Sequence, residues 1–431
     1  MPIQVAAGRS RPSLRALAEP SSVAVVHDYL NQCGGAERVA LELAQLWPSA
    51  SVYTSLYRPQ STFVEFGCVP VNTTWLQRLP VDAGFRSLAP LYPLAFRRLG
   101  ALQEQVVISS SSGWAHGVVT APGSLHVVYC HTPARWLYRG EDYLGHRATT
   151  LMAPITRSLR RWDSAWARRA DIYIVNSEHV RRRVRAIYRR DAHVINPPVD
   201  VARFVPRPRG ERLLVVSRLL PYKRVDLIVR AATRAGIQLD VVGVGPSFRR
   251  LREMAGPNVT FHGRVDDDSL KELLEGCRAL CVAATEDFGI APVEAGAAGK
   301  PVVAYAAGGA LETLHDGVNA SLFHDRCEEA FLEAVRRADK LDTPPAEIAS
   351  LAHRFSSEIF RSRFRSLIGT ALAQRANGRV RSRGSVIENK PRSRPANKAP
   401  RPVARPELAR RRALAAKRIP ADHLSGASQS A

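Results

Sequence analysis

The chain has 431 residues, 45% of them hydrophobic, and a formal net charge of +23 at neutral pH. That length is too great for one ordinary core and suits two domains with extensions. No apolar run reaches the ~18 residues of a membrane-spanning helix, and the six cysteines contain no CxxC pair or histidines at ligand spacing, which argues against a disulfide framework or a metal site.

Residues 1–20 are dotted with arginine and broken by proline, so a disordered leader without a secretory apolar stretch is expected. Residues 23–27 read as a buried strand. A polar loop, Gly34 and Gly35 follow, then a helix carrying Val39, Leu43, Leu46 and Trp47 on one face until Pro48 stops it. Glycines at such a place let backbone N–H groups approach a phosphate, although most glycine pairs mark ordinary turns. Strand-like runs recur at 51–57, 106–110, 126–130 and 171–176. His131 directly follows the third of these, in a His-Thr-Pro loop, with Arg135, Trp136 and Tyr138 behind it as candidates for shaping an acceptor pocket. Packing explains Trp136 equally well.

Two arginine clusters come next. Arg157, Arg160, Arg161, Arg168 and Arg169 surround Trp162 and Trp166, and a second group comprises Arg181, Arg182, Arg183, Arg185, Arg189 and Arg190. They suit either a solvated helix face or an anionic membrane surface. A proline pair at Pro197 and Pro198 cannot continue a helix and places a hinge at 197–208.

Beyond the hinge, strand-like runs at 213–217, 239–242, 259–261, 279–283 and 301–305 alternate with helix-length segments. The whole alternation predicts an α/β architecture of two mostly parallel, helix-covered sheets. Arg218 and Lys223 lie on the loop after 213–217, at the sheet end where open α/β folds bind ligands. A guanidinium fork and an ammonium point charge suit a diphosphate. Gly243-Val-Gly245 begins a dinucleotide fingerprint, but position 248 is Phe rather than a third glycine, which argues against hydride transfer. Asp266, Asp267 and Asp268 precede a helical segment at 269–275 and are expected to cap it rather than bind metal.

The most informative stretch runs from Glu286 to Glu294. Glu286, Asp287, Phe288 and Gly289 form a loop after a strand, and a helix is expected from about Ile290, with Pro292 in its first turn. Glu286 then sits beside free helix N–H groups, and Glu294 about one turn inside. Such N–H groups favour anions, so two carboxylates there suit hydroxyl-rich ligands or simply offset a helix dipole. A last periodic segment covers 357–373. From residue 375 onward, 15 Lys and Arg face 3 acids. With aromatics absent there, a basic disordered tail is expected over 375–431.

Six segments, "YCHTPARWLY", "EDYL", "NPPVD", "SRLLPYKRVDL", "GRVDDDSL" and "EDFGIAPVEAGAAGKPVVAYAAGGALETL", occur in order between about residues 23 and 368. In these the chain resembles the retaining GT-B glycosyltransferases (glycosyl transferases group 1), in particular the mannosyltransferase-like branch of bacterial surface-polysaccharide synthesis. The resemblance implies two Rossmann-like domains facing across a cleft. The N-terminal, acceptor-binding domain would be 21–200 plus a crossing helix at 355–374, and the donor-nucleotide domain 201–354.

It further implies a metal-independent transfer of a hexose, mannose in this branch, from a nucleotide-diphosphate sugar, GDP-mannose being favoured, to a saccharide or lipid-linked acceptor. No cofactor beyond that co-substrate is implied. Arg218 and Lys223 would stabilise the departing diphosphate with the Gly34 and Gly35 amides, Glu294 would hold the ribose, and Glu286 with residues 287–290 would orient the sugar. His131 would contact that sugar from the opposite domain. The enzyme would be cytoplasmic, peripheral on the inner face of the plasma membrane through its basic helices and tail. Alternatives are a GT-B sugar-nucleotide epimerase, a UDP-sugar-dependent transferase and, less favoured, a basic nucleic-acid-binding protein; the charge lacks interleaved aromatics and a base-reading module.

Overall fold

A computed structural model describes residues 18–79, 88, 90–138 and 153–377. The expectations for residues 1–17, for the "EDYL" segment and for the tail beyond 377 fall outside them.

Fifteen strands occur in the described residues. They are β1 (Val23–His27), β2 (Ser51–Thr54), β3 (Val71–Thr73), β4 (Ala101–Leu102), β5 (Val106–Ser111), β6 (Val119–Thr120), β7 (Leu125–Cys130), β8 (Ile172–Val175), β9 (His193–Val194), β10 (Leu213–Val216), β11 (Leu239–Val242), β12 (Val259–Gly263), β13 (Ala279–Val282), β14 (Val302–Tyr305) and β15 (Ala320–Phe323). The first sheet has the order β3-β2-β1-β5-β7-β8-β9, the second β12-β11-β10-β13-β14-β15, and β4 pairs with β6. All neighbours in both large sheets are parallel.

The central strands are apolar runs because both faces are covered by helices; β1 is buried at every position. Each sheet runs outward in both directions from its first strand, so each has a topological switch point, between β1 and β5 and between β10 and β13. Ligands in open α/β sheets bind beyond the strands' carboxyl ends at that point. The two sheets are those of two Rossmann-like domains, the GT-B architecture.

The chain crosses between the domains twice at one place: Val199 N–H donates to the Phe355 carbonyl at 3.0 Å. The helix Ser357–Ala376 then returns to the first domain. Its Phe360, Phe364 and Ile368 enter the core that contains β1, β5 and Trp47, and Arg361 meets Glu42 at 2.7 Å. Its 3.6-residue apolar spacing is thus a docking face on the first domain. At the hinge, the fully buried Lys300 donates to the carbonyl of Arg207 at 3.1 Å and to that of Pro208.

Candidate active site

The residues at the two switch points face one another. In the second domain, β10 ends and the chain turns through Arg218 into a single 3-10 turn, Pro221–Lys223. Beside it, β13 ends and the chain passes through Glu286 to the helix Ile290–Ala297. Lys223 Nζ lies 2.6 and 2.7 Å from the two Glu286 carboxylate oxygens. Arg218, Lys223, Glu286, Gly289 and Ile290 line a cleft of about 260 Å³. Gly289 caps its helix at φ 95°, a conformation that glycine adopts without strain.

From the first domain, Gly35 lines the same cleft. It is the first residue of the helix Gly35–Gln45, with Gly34 as the N-cap. A methyl group built on Gly35 would lie 2.5 Å from Ile290 Cδ1, so a side chain there would press on the opposite domain. The N-termini of two helices, one from each domain, therefore abut at the cleft. Their unpaired N–H groups and aligned dipoles make it a place for an anion.

Glu294 stands one turn further along its helix, outside the cleft lining. Its nearest cation is Arg203, Nη2 to Oε1 3.9 Å. Burial holds its carboxyl above the ordinary 4.5, and Arg203 offsets only part of that. Arg203 also lies 3.6 Å from Asp267, which Arg38 of the first domain reaches at 3.3 Å. Asp266 caps the helix Asp267–Gly276 through the Ser269 N–H at 2.7 Å, in line with the capping expectation.

His131 is buried at the end of β7. Asn176 Nδ2 donates to its carbonyl at 2.9 Å, and its Nε2 lies 2.8 Å from Ser110 Oγ. Burial, with the nearby His27, pushes its pKa down to about 3, so the ring is neutral at physiological pH.

Several expected site residues are used otherwise. The Asp287 carboxylate, expected at the donor, accepts from Arg135 at 2.5 Å and from Arg183 at 2.9 Å. Arg135, expected at the acceptor, is therefore half of an interdomain ion pair. Ser177 Oγ adds a 2.5 Å bond to the Asp287 carbonyl, and Glu312 accepts from the Glu178 and His179 N–H groups at 2.9 Å each. A carboxylate of the second domain thus sits on a helix N-terminus of the first. Phe288 is buried against Phe355, so its backbone alone is left to face a ligand. Trp136 packs on Trp114 at 5.1 Å between centroids. The Tyr138 hydroxyl donates to Asp163 at 2.7 Å, so both aromatics hold the first domain together. Within the arginine clusters, Arg183 belongs to the Asp287 pair, and Arg190 is buried against the carbonyls of Ala167, Arg168 and Asp171. Arg157, Arg161, Arg168, Arg169, Arg182, Arg185 and Arg189 remain exposed.

Sequence reading missed Arg203, Arg183, Ser177 and Ser110. The run of four serines at 109–112 was a visible signal, since β5 carries three of them buried in a sheet.

The comparisons agree with this geometry. The family model "Glycosyltransferase Family 4" matches residues 33–203 and "Glycosyl transferases group 1" matches 202–356, so the two matches adjoin at residues 202–203. A D-inositol 3-phosphate glycosyltransferase of Mycobacterium leprae is 28% identical over 338 residues, 65% of this chain and 78% of that protein. A GDP-mannose-dependent alpha-(1-6)-phosphatidylinositol monomannoside mannosyltransferase of Mycobacterium tuberculosis is 32% identical over 225 residues, 44% of this chain and 57% of that protein. The chain spans less than half of two others, 43% of a Mycolicibacterium gilvum and 48% of a Mycolicibacterium vanbaalenii D-inositol 3-phosphate glycosyltransferase. Among solved structures, Anabaena HepE in complex with UDP and glucose superposes with a TM-score of 0.63 at 19% identity, covering 81% of this chain and 99% of that one. On its two matched family domains and its paired Rossmann-like sheets, the chain belongs to the GT-B glycosyltransferases.

Proposed function

We propose that this enzyme transfers mannose from GDP-mannose, with retention and without a metal ion, to a saccharide or lipid-linked acceptor in surface polysaccharide or glycolipid synthesis. The observation that carries the reading is the cleft where Arg218, Lys223 and Glu286 meet the abutting N-termini of two helices. Cations and helix N–H groups stabilise the charge that grows on a departing diphosphate. Glu286 accepts from the sugar's hydroxyls, the amides following Asp287 donate to them and so orient the sugar, and Glu294 accepts from the ribose. His131 contacts the sugar from the first domain. With a positively charged cleft available, the diphosphate needs no divalent ion to leave, and its freed oxygen takes the acceptor hydroxyl's proton on the same face. The donor is held by residues 201–354, the acceptor by 21–200.

Mannose and GDP rest on the likeness to the GDP-mannose-dependent mannosyltransferase of Mycobacterium tuberculosis. The exposed arginines flanking Trp166 supply an anionic-membrane contact for a lipid-linked acceptor on the cytoplasmic side.

The test is a thermal-shift screen of GDP, UDP and their sugars in the presence of a chelator, followed by NMR of the product's anomeric configuration. At about 100 times its dissociation constant the right nucleotide stabilises by ~2.7 kcal/mol. A larger shift with UDP overturns the GDP assignment, inversion at the anomeric carbon overturns retention, and dependence on added magnesium overturns metal independence. An isomerised free sugar nucleotide without acceptor supports the epimerase instead.

A further inference from the structure

β5 ends in a run of serines whose hydroxyls meet histidines. Ser109 Oγ lies 2.9 Å from His126 Nε2, Ser110 Oγ 2.8 Å from His131 Nε2, and Ser111 Oγ 3.2 Å from His116 Nδ1. Ser110 meets two, because His27 Nδ1 is 3.0 Å from its Oγ and 3.1 Å from its carbonyl oxygen. On the far side of that ring, His27 Nε2 is 3.7 Å from Glu37 Oε1, an oxygen that accepts from Gln32 Nε2 at 2.8 Å. Glu37, His27 and Ser110 are 1%, 2% and 0% exposed, so bulk solvent does not reach them.

Counting hydrogens fixes the direction of this chain. A carbonyl oxygen only accepts, so His27 Nδ1 carries a hydrogen and shares it between the Ser110 carbonyl and Oγ. His27 Nδ1 is then no acceptor for the Ser110 hydroxyl. Within the described residues, the remaining group near that hydroxyl is His131 Nε2. If His131 Nε2 carried a hydrogen too, the buried Ser110 O–H would have nowhere to go, at a cost of about 1–3 kcal/mol. The hydroxyl therefore donates to Nε2, and Nε2 is bare.

We infer that Ser110 is a positioning residue for the transfer reaction: with His27 Nδ1–H donating to its oxygen, its hydroxyl holds His131 as the neutral Nδ1–H tautomer. This rests on the proposed contact between His131 and the transferred sugar. The consequence is chemical. A neutral imidazole with its hydrogen on Nδ1 offers one donor to a sugar hydroxyl. It also places no positive charge beside a sugar that itself becomes oxocarbenium-like as its bond to phosphate breaks. Burial beside His27 reinforces this, since it disfavours the charged ring. The edge contact of Tyr129, 5.2 Å between centroids, and the Asn176 bond keep ring and backbone in place.

The experiment is long-range proton–nitrogen NMR on the full chain labelled with nitrogen-15 at histidine, the His131 signals being assigned by their loss in His131→Gln. The wild type is expected to show a bare Nε2 and a protonated Nδ1. Ser110→Ala should shift both signals toward a mixture of tautomers. It should also lower kcat by roughly 10-fold, the lower end of what losing an imidazole's orienting partner costs at metal sites, with the donor's thermal shift unchanged. Ser110→Thr, which keeps the hydroxyl, should restore the wild-type signals and most of kcat. A protonated Nε2 in the wild type overturns the inference without any variant having to fold. Unchanged signals and kcat in Ser110→Ala overturn it as well. If His131→Gln transfers sugar at the wild-type rate, the functional reading of His131 fails on its own, whatever the tautomer proves to be.

Discussion

Lys223 is bound by both oxygens of Glu286, at 2.6 and 2.7 Å, with each side chain less than a fifth exposed. A donor diphosphate that uses Lys223 must draw it from that carboxylate, so the pair is a competition built into the cleft. Replacing Lys223 with Ala should cost about 3–4 kcal/mol of barrier, at least a hundredfold in kcat, without unfolding the chain. Glu286→Gln has two opposite effects. Free GDP should bind several-fold tighter, because relieving a partly exposed pair is worth up to about 1 kcal/mol, whereas transfer should fall as a sugar contact is lost. Calorimetry with GDP and steady-state kinetics check the two signs. Weaker GDP binding in Glu286→Gln would remove the competition.

Glu294 is costly to the fold in its charged state. Its folded pKa lies above 4.5 because burial outweighs Arg203. Between 4.5 and that raised value the native state holds more protons than the unfolded one, so stability declines as pH rises through this window. Glu294→Gln is therefore expected to unfold at a higher temperature than wild type at pH 7. The advantage should shrink below pH 4.5, where the wild-type carboxyl is neutral in both states. The same variant should bind the donor more weakly, having lost the acceptor for the ribose. A lower melting temperature at pH 7 contradicts the argument.

Gly35 and Ile290 set how closely the domains approach. The clash predicted for a methyl group at Gly35 is with one atom, Cδ1, the movable end of Ile290. Gly35→Ala should consequently lower kcat/KM by a factor of several, equivalent to about 1 kcal/mol, the lower end of overpacking costs. Ile290→Val deletes Cδ1 alone and should restore most of the loss in the double variant. A double-mutant cycle measures the coupling. Additive losses would show that Gly35 matters for its backbone only.

Why some of this was readable from sequence and some was not follows from how far apart the partners lie. β1 and β11 were legible to the residue, and the other central strands to within one to three residues, because a parallel strand covered on both faces is a short apolar run. β3 and β9, two or three partly exposed residues at the sheet edge, carry no such run. The shared cleft of Arg218, Lys223 and Glu286 was legible because each follows a recognisable strand on a single loop. The ion-pair partners of Asp287 were not legible, because Arg135 and Arg183 lie 152 and 104 residues away. The packing of Trp136 and Tyr138 was illegible for a related reason. An aromatic after a site histidine has the same sequence whether it faces a sugar or packs on Trp114.

His126 and His131 together make the first domain sensitive to acid. Burial lowers both pKa values from 6.5 to about 3, with His116 and Arg190 adding to the effect at His126. The unfolded chain takes up these two protons as pH falls below 6.5, whereas the folded chain does so only near 3. Stability contributed by the neutral rings is thus present above 6.5 and lost progressively on acidification, by about 1.4 kcal/mol per pH unit for each histidine. His126→Gln keeps a polar atom within reach of Ser109 Oγ but cannot titrate. Urea unfolding of the first domain, followed between pH 6 and pH 4.5, should show a slope with pH shallower by about 1.4 kcal/mol per unit than in wild type, even though the variant is less stable overall at pH 7. An unchanged slope would mean that the native His126 ring takes up its proton as readily as the unfolded one, which overturns the argument.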